Sequence, residues 1–316
     1  MQTKILSPFE ILEAASLLKN GEVVAFPTET VYGLGALIFN PSAIHRIFQV
    51  KGRPTDNPLI AHISDFSQVS QIAIALPEDF HLLAKAFWPG PLTIVVRKHP
   101  LVPLIATAGL DSIGIRMPSH KMARQLISEI GHPLVAPSAN LSGRPSPTDV
   151  QHVIEDLSDR IPAVLDGGRC EIGIESTVVS LLDETPQILR PGCITKEDLE
   201  KVLLKPVLEE SSHSDRPASP GMKYRHYAPK AIVSLFYSAQ EIKSKLSQKR
   251  HNVLVLGSPD CPFSQMDNFL PCSQYDLYYA LRYADEKKFS EVYVYCDKEL
   301  ELDYALMNRI VKATSS

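Results

Sequence analysis

No two of the five cysteines, Cys170, Cys193, Cys261, Cys272 and Cys296, are spaced CxxC, and their number is odd. That argues against a disulfide framework or a zinc site and for a reducing cytosol. Long apolar runs are also missing, so no segment reads as a membrane span. The N-terminal stretch MQTKILSPFEILEAASLLKNG interleaves Glu and Lys with its apolar residues, as an amphipathic helix does and a secretory signal does not. There is no Walker A loop, HExxH helix or GxSxG elbow. No Asp/His cluster has metal-ligand spacing, and no cysteine sits beside a plausible base. Covalent and metal-centred catalysis therefore lose their usual carriers. Electrostatic clamping and positioning remain, which is how phosphoryl and nucleotidyl transfer work. A large excess of one charge is absent too. A formal net charge of -4 argues against a protein whose main work is coating nucleic acid, though not against one local basic patch.

What is present is an ordinary globular composition, 44% hydrophobic and 22% charged over 316 residues, enough for two domains. Apolar periodicity predicts a first helix from Ser7 or Pro8, stopped by Gly21, then a buried strand at 23–26. Further strands are expected at 59–63, 92–96, 113–116, 134–136, 163–165, 177–182 and 187–189. Helices are expected at 42–49, 79–87, 120–130, 149–157 and 196–203. Strand and helix mix irregularly, which predicts an α/β fold with a twisted mixed sheet. Residues 206–230 are rich in Ser, Pro and charge without apolar periodicity and read as a linker. After it, three β-then-α units predict a small parallel, Rossmann-like sheet without a GxGxxG dinucleotide loop. The expected division is 1–205, a linker or active-site lid at 206–230, and 231–316.

Polar segments cluster at strand ends. Lys51-Gly52-Arg53-Pro54 places two cations one residue apart on a turn stiffened by Pro54 and Pro58. Lys offers a point charge and Arg a fork for two phosphate oxygens. For an arbitrary KxR, a solvated basic turn is the commoner use. Pro27–Gly35 (PTETVYGLG) follows the first strand, where open α/β sheets place ligands. Ser138 and Asn140, in APSANLSG, are short donors suited to phosphate oxygens or to a helix N-cap. Arg116 ends an apolar strand and needs an anionic partner, either a ligand or a structural carboxylate. Glu175-Ser176-Thr177 and Arg190-Pro191-Gly192 repeat the pattern. Met222–Tyr227 (MKYRHY) is too aromatic and basic for a mere spacer.

Together, PTETVYGLG, KGRPTDNPLIAHI, WPGPLT, GIRMP, APSANLSGRPSPT, GIESTVV, ILRPG and SPGMKYRHYAP, in that order, resemble the YrdC-type L-threonylcarbamoyladenylate synthases in their long form. The resemblance implies condensation of L-threonine, bicarbonate (or CO2) and ATP into threonylcarbamoyl-AMP with release of pyrophosphate. It also implies downstream proteins that carry the group to tRNA, no stable grip on nucleic acid, no membrane association, and a cytoplasmic setting. By motif, Lys51 and Arg53 are the expected catalytic pair on the ATP phosphates. Asn57, Ser112, Ser138, Asn140, Ser146 and Arg190 complete the nucleotide site, with Tyr224, His226 and Tyr227 closing over it. Thr30, His62, Arg116, Ala136 and Ser176 would hold threonine, with Arg116 on its carboxylate and Ala136 contributing only backbone or packing. Mg2+ is expected to arrive on the triphosphate. His62 and His226 are candidate bases, with ligand positioning favoured for His62. Two other readings stay in view. An RNA-binding or ribosome-associated module would use the same basic concavity. A carbamoyl transferase of the hydrogenase-maturation type would need zinc-finger and acylphosphatase-like regions that the sequence lacks.

Overall fold

The computed structural model describes residues 2–209, 227–248 and 252–314. Ten strands form one sheet: β1 (Lys4–Leu6), β2 (Val24–Phe26), β3 (Gly33–Leu37), β4 (Ile60–His62), β5 (Leu92–Arg97), β6 (Ser112–Arg116), β7 (Leu134–Val135), β8 (Ala163–Leu165), β9 (Thr177–Ser180) and β10 (Gln187–Arg190). Their spatial order is β1-β8-β2-β3-β7-β4-β6-β5-β9-β10. Pairing is mixed, as expected: β4 runs parallel to β6, while β3 is antiparallel to β2 and β5 to β6.

Both faces of this sheet are covered, so successive residues of a strand enter different cores. Val24 and Phe26 pack with helices Ile11–Lys19 and Lys121–Ile130. Ala25 joins Ile44 and Ile47 of helix Pro41–Lys51 and Phe80 and Leu83 of helix Glu78–Phe87 on the other side. Each fully buried side chain of this kind contributes about 1.5–3 kcal/mol.

Two strands escaped the sequence pattern. β1 is three residues long, and two of them are exposed. β3 reads GLGAL, and its glycines erase the alternation that marks a strand. Gly35 is needed for contact: an added Cβ there would stand 2.9 Å from Phe26 Cε1. Helix Pro41–Lys51 also runs two residues past its expected end. Gly52 closes it in the left-handed region at φ 60. Lys51 therefore belongs to a helix and not to the stiff loop that carries Arg53.

A second sheet contains β11 (Ile232–Phe236), β12 (Val253–Gly257), β13 (Phe269–Pro271) and β14 (Glu291–Tyr295), all parallel, in the order β11-β14-β12-β13. The short strand β13 was not anticipated. Its Pro271 sits at the sheet edge, where a missing N–H is tolerated. The chain's last two described helices are Lys298–Leu302 and Tyr304–Thr314.

The sheets meet at a polar and apolar seam. Val31 and Ile174 join the core beneath the second sheet. Gly173, at φ 89, lets the backbone of Gln274 and Tyr275 approach to where a Cβ would meet atoms at 2.5–2.8 Å. Buried Asp156 contacts Arg144 and accepts from Arg282 at 2.8 Å, while Arg282 donates to the Pro145 carbonyl at 2.6 Å. Leu208 bridges to Gln187, so the first part of the expected linker adheres to β10. Among the described residues, no helix is long and apolar enough to cross a membrane.

Candidate active site

The polar strand ends converge on a cleft that opens to solvent. The loop after β2 supplies Thr28 and Thr30, the ends of β4 and β6 supply His62 and Arg116, and the loop after β7 supplies Ala136, Pro137, Ser138 and Asn140. Arg53, Arg144, Ser146, Glu175, Arg190 and Tyr227 complete its polar lining. Register explains part of this convergence. His62 and Arg116 are paired residues at the ends of parallel strands, and Leu134 lies opposite His62 on the other side.

Directions of hydrogen bonding follow from the partners. Thr28 donates to the Val31 carbonyl at 2.6 Å and so accepts from Thr30 at 2.9 Å. Thr30 in turn accepts from Arg116 Nη1 at 2.8 Å, and Arg116 Nη2 pairs with Glu29 at 2.7 Å. The structural carboxylate that Arg116 required is Glu29. His62 Nδ1 lies 3.1 Å from the Ile60 carbonyl, which can only accept, so Nε2 is left as the ring's acceptor. Burial and the nearby Arg116 push the His62 pKa down to about 3. The ring is neutral near pH 7 but a weak base, which favours positioning over proton abstraction.

Lys51 and Arg53 part company. The Lys51 side chain is 2% exposed and does not line the cleft. Its ammonium donates to the carbonyls of Ser138 and Asn140, the latter at 2.6 Å, with Asn140 Oδ1 at 3.4 Å. Burial, with the Arg53 charge close by, pushes its pKa well down. Asn140 braces the same loop by donating to the carbonyls of Leu141 and Arg144 at 2.8 and 2.9 Å, and it accepts from Ser138 at 2.6 Å. Arg53 lines the cleft and, among the described residues, makes only long bonds, 3.4 and 3.3 Å, to the carbonyls of Asn57 and Pro58. Its guanidinium is available to a ligand. Burial is the main influence lowering its pKa, to about 10, so the group stays charged near neutrality.

The remaining expected residues sort as follows. Thr30, His62, Arg116, Ala136, Ser138, Asn140, Ser146, Arg190 and Tyr227 all line the cleft with Arg53. Lys51, Asn57, Ser112 and Ser176 are buried and do not. Ser176 instead bonds Thr93 at 2.8 Å and accepts from Arg190 Nη2 at 3.1 Å, fixing that guanidinium from behind. Tyr224 and His226 lie outside the described residues. No role was legible for Glu29, Arg144 or Glu175, nor for Tyr278 and Arg309 of the second sheet region. A buried acid in GIESTVV does require a cation, but its partner Arg309 sits 134 residues away.

Two family models match: one described as "Telomere recombination", covering the Sua5, YciO and YrdC proteins, over residues 16–192, and one described as "Threonylcarbamoyl-AMP synthase, C-terminal domain" over residues 194–315. The chain belongs to the Sua5/YrdC family. Among curated members, the Pyrococcus abyssi threonylcarbamoyl-AMP synthase is 42% identical over 98% of this chain and 95% of its own length. The Bacillus subtilis threonylcarbamoyl-AMP synthase is 44% identical over 96% and 92%. The crystal structure of P. abyssi Sua5 complexed with L-threonine aligns with a TM-score of 0.91 and 39% identity, covering 99% of this chain and 98% of that one. The Sua5/YrdC chain described here thus shares both sheets with its relatives.

Proposed function

We propose that the chain is an L-threonylcarbamoyl-adenylate synthase, joining L-threonine, bicarbonate or CO2 and ATP into threonylcarbamoyl-AMP and pyrophosphate. The observation that carries this reading is one cleft holding two kinds of polar group. Thr30, His62 and Arg116 are tied to one another and suit a small amino acid. Arg53, Ser138, Asn140 and Arg190 suit a polyphosphate. The relatives' names supply the reaction.

Threonine's amine adds to CO2 to give a carbamate, with loss of a proton. A carbamate oxygen attacks the α-phosphorus, forming a P–O bond as the bond to pyrophosphate breaks. Both partners are anionic, so cations must offset their repulsion and the charge developing at phosphorus. Arg53 is the group placed to do that. Lys51 acts one step behind, holding the 138–140 loop in shape. Magnesium enters with the triphosphate as part of the substrate. We also place the chain upstream of proteins that transfer the group to tRNA, in a reducing cytosol that suits its five free thiols.

The test is pyrophosphate release from ATP with each substrate omitted in turn. Release that requires both threonine and bicarbonate is expected. Robust release without threonine would sink the proposal.

A further inference from the structure

Ser146 and Glu175 both line the cleft, and Glu175 takes its further partners from helices of the second sheet region. The Glu175 Oε1 atom accepts from Ser146 Oγ at 2.6 Å and from Tyr278 Oη at 3.1 Å. Its Oε2 accepts from Tyr278 at 2.8 Å and from Arg309 Nε at 3.0 Å. Arg309 is fully buried and anchored again by donation to the Pro191 carbonyl at 2.8 Å. Burial would push the Glu175 carboxyl up, but Arg309, Arg190 and the two hydrogen bonds from Ser146 and Arg309 hold it down at about 2. An ionised carboxylate only accepts. The Ser146 proton must then point at Glu175, and only lone pairs of Ser146 face the cleft.

We infer that Arg309 and Tyr278 act as positioning residues, which through Glu175 lock Ser146 as a pure hydrogen-bond acceptor for a donor group on the nucleoside. Phosphate oxygens are themselves acceptors at neutral pH, so Ser146 is unsuited to them. The nucleoside offers two kinds of donor, the exocyclic amine of the base and the ribose hydroxyls. The inference rests on the proposed nucleotide site and makes the second sheet region part of substrate selection.

The test measures binding by calorimetry and pyrophosphate release, using ATP, inosine triphosphate, 2′-deoxy-ATP and 3′-deoxy-ATP. The native chain is expected to bind the analogue lacking the relevant donor about tenfold more weakly than ATP. The analogue affected says which donor is read. In Ser146→Ala that preference falls to within about twofold, since the acceptor is gone. In Glu175→Gln, the amide oxygen stays with Arg309 and Tyr278, so the amide nitrogen faces Ser146 and turns its proton into the cleft. ATP then loses its advantage. Arg309→Lys keeps a cation at Glu175 and is expected to retain part of the preference that Arg309→Met loses, which simple loss of packing would not predict. Equal binding of all four nucleotides by the native chain overturns the inference, as does an unchanged preference in Ser146→Ala and Glu175→Gln. Because binding is read separately, ATP that binds with this preference but yields no threonine-dependent pyrophosphate would defeat the proposed reaction and leave this inference standing.

Discussion

The two sheet regions use buried charge differently. On the cleft side, among the described residues, Arg53 makes only long bonds to carbonyls, and Lys51 serves a loop. At the seam, Glu175 and Asp156 are saturated by Arg309, Tyr278, Arg282 and Arg144. Unspent hydrogen-bonding capacity marks where a ligand goes, and saturation marks what holds the site in place. A buried charge without a full set of partners is costly, so it persists only where function requires it.

The sharpest way to break this contrast is Arg53→Ala. It is expected to lower pyrophosphate release about 10²–10³-fold while the chain melts as before, checked by steady-state assay and thermal unfolding. Equal loss of stability would mean that Arg53 is structural after all. Lys51→Ala is expected to behave differently. It strips the Ser138 and Asn140 carbonyls of their donor and lowers stability along with activity. At the seam, Arg309→Met leaves Glu175 buried without its main cation and is expected to destabilise by about 3–5 kcal/mol in urea unfolding.

A smaller effect comes from pH. Burial, aided by nearby arginines, lowers the pKa of both His62 and His152 to about 3, against an ordinary 6.5. The unfolded chain then binds more protons than the folded one below pH 6.5. Each histidine's stabilising contribution is therefore present above 6.5 and is lost as pH falls toward 3. At pH 5 each is expected to cost about 2 kcal/mol relative to pH 7, and His152→Gln is expected to flatten that slope in urea titrations. The smallest effect belongs to the outer seam. Arg169 lies 3.8 Å over the Tyr275 ring and pairs with Asp276 at 3.2 Å, but it is partly exposed. Arg169→Ala is expected to cost about 1 kcal/mol or less by the same measurement.

Much of the cleft was legible because its residues lie in short polar runs at strand ends. Thr30, His62, Arg116, Ser138, Asn140 and Arg190 all reach the cleft from such runs, and Arg53 reaches it from the polar loop after helix Pro41–Lys51. The direction of the Lys51 side chain was not legible, because spacing along the chain does not give the angle around a helix. Two further residues of helix Pro41–Lys51 send that side chain behind the loop instead of into the opening. β3 was missed because two glycines left nothing to alternate. Arg309 and Tyr278 were missed for another reason. Each is a single residue inside an ordinary amphipathic helix, and only the docking of one sheet region on the other gives it a role.

Gly173 has a consequence for how the molecule comes apart. With no side chain there, the backbones of the two regions lie against each other at a single register, and a methyl group would already wedge them open. Two separately wound sheets are thereby made into one cooperative unit, expected to lose their structure in a single calorimetric transition instead of two.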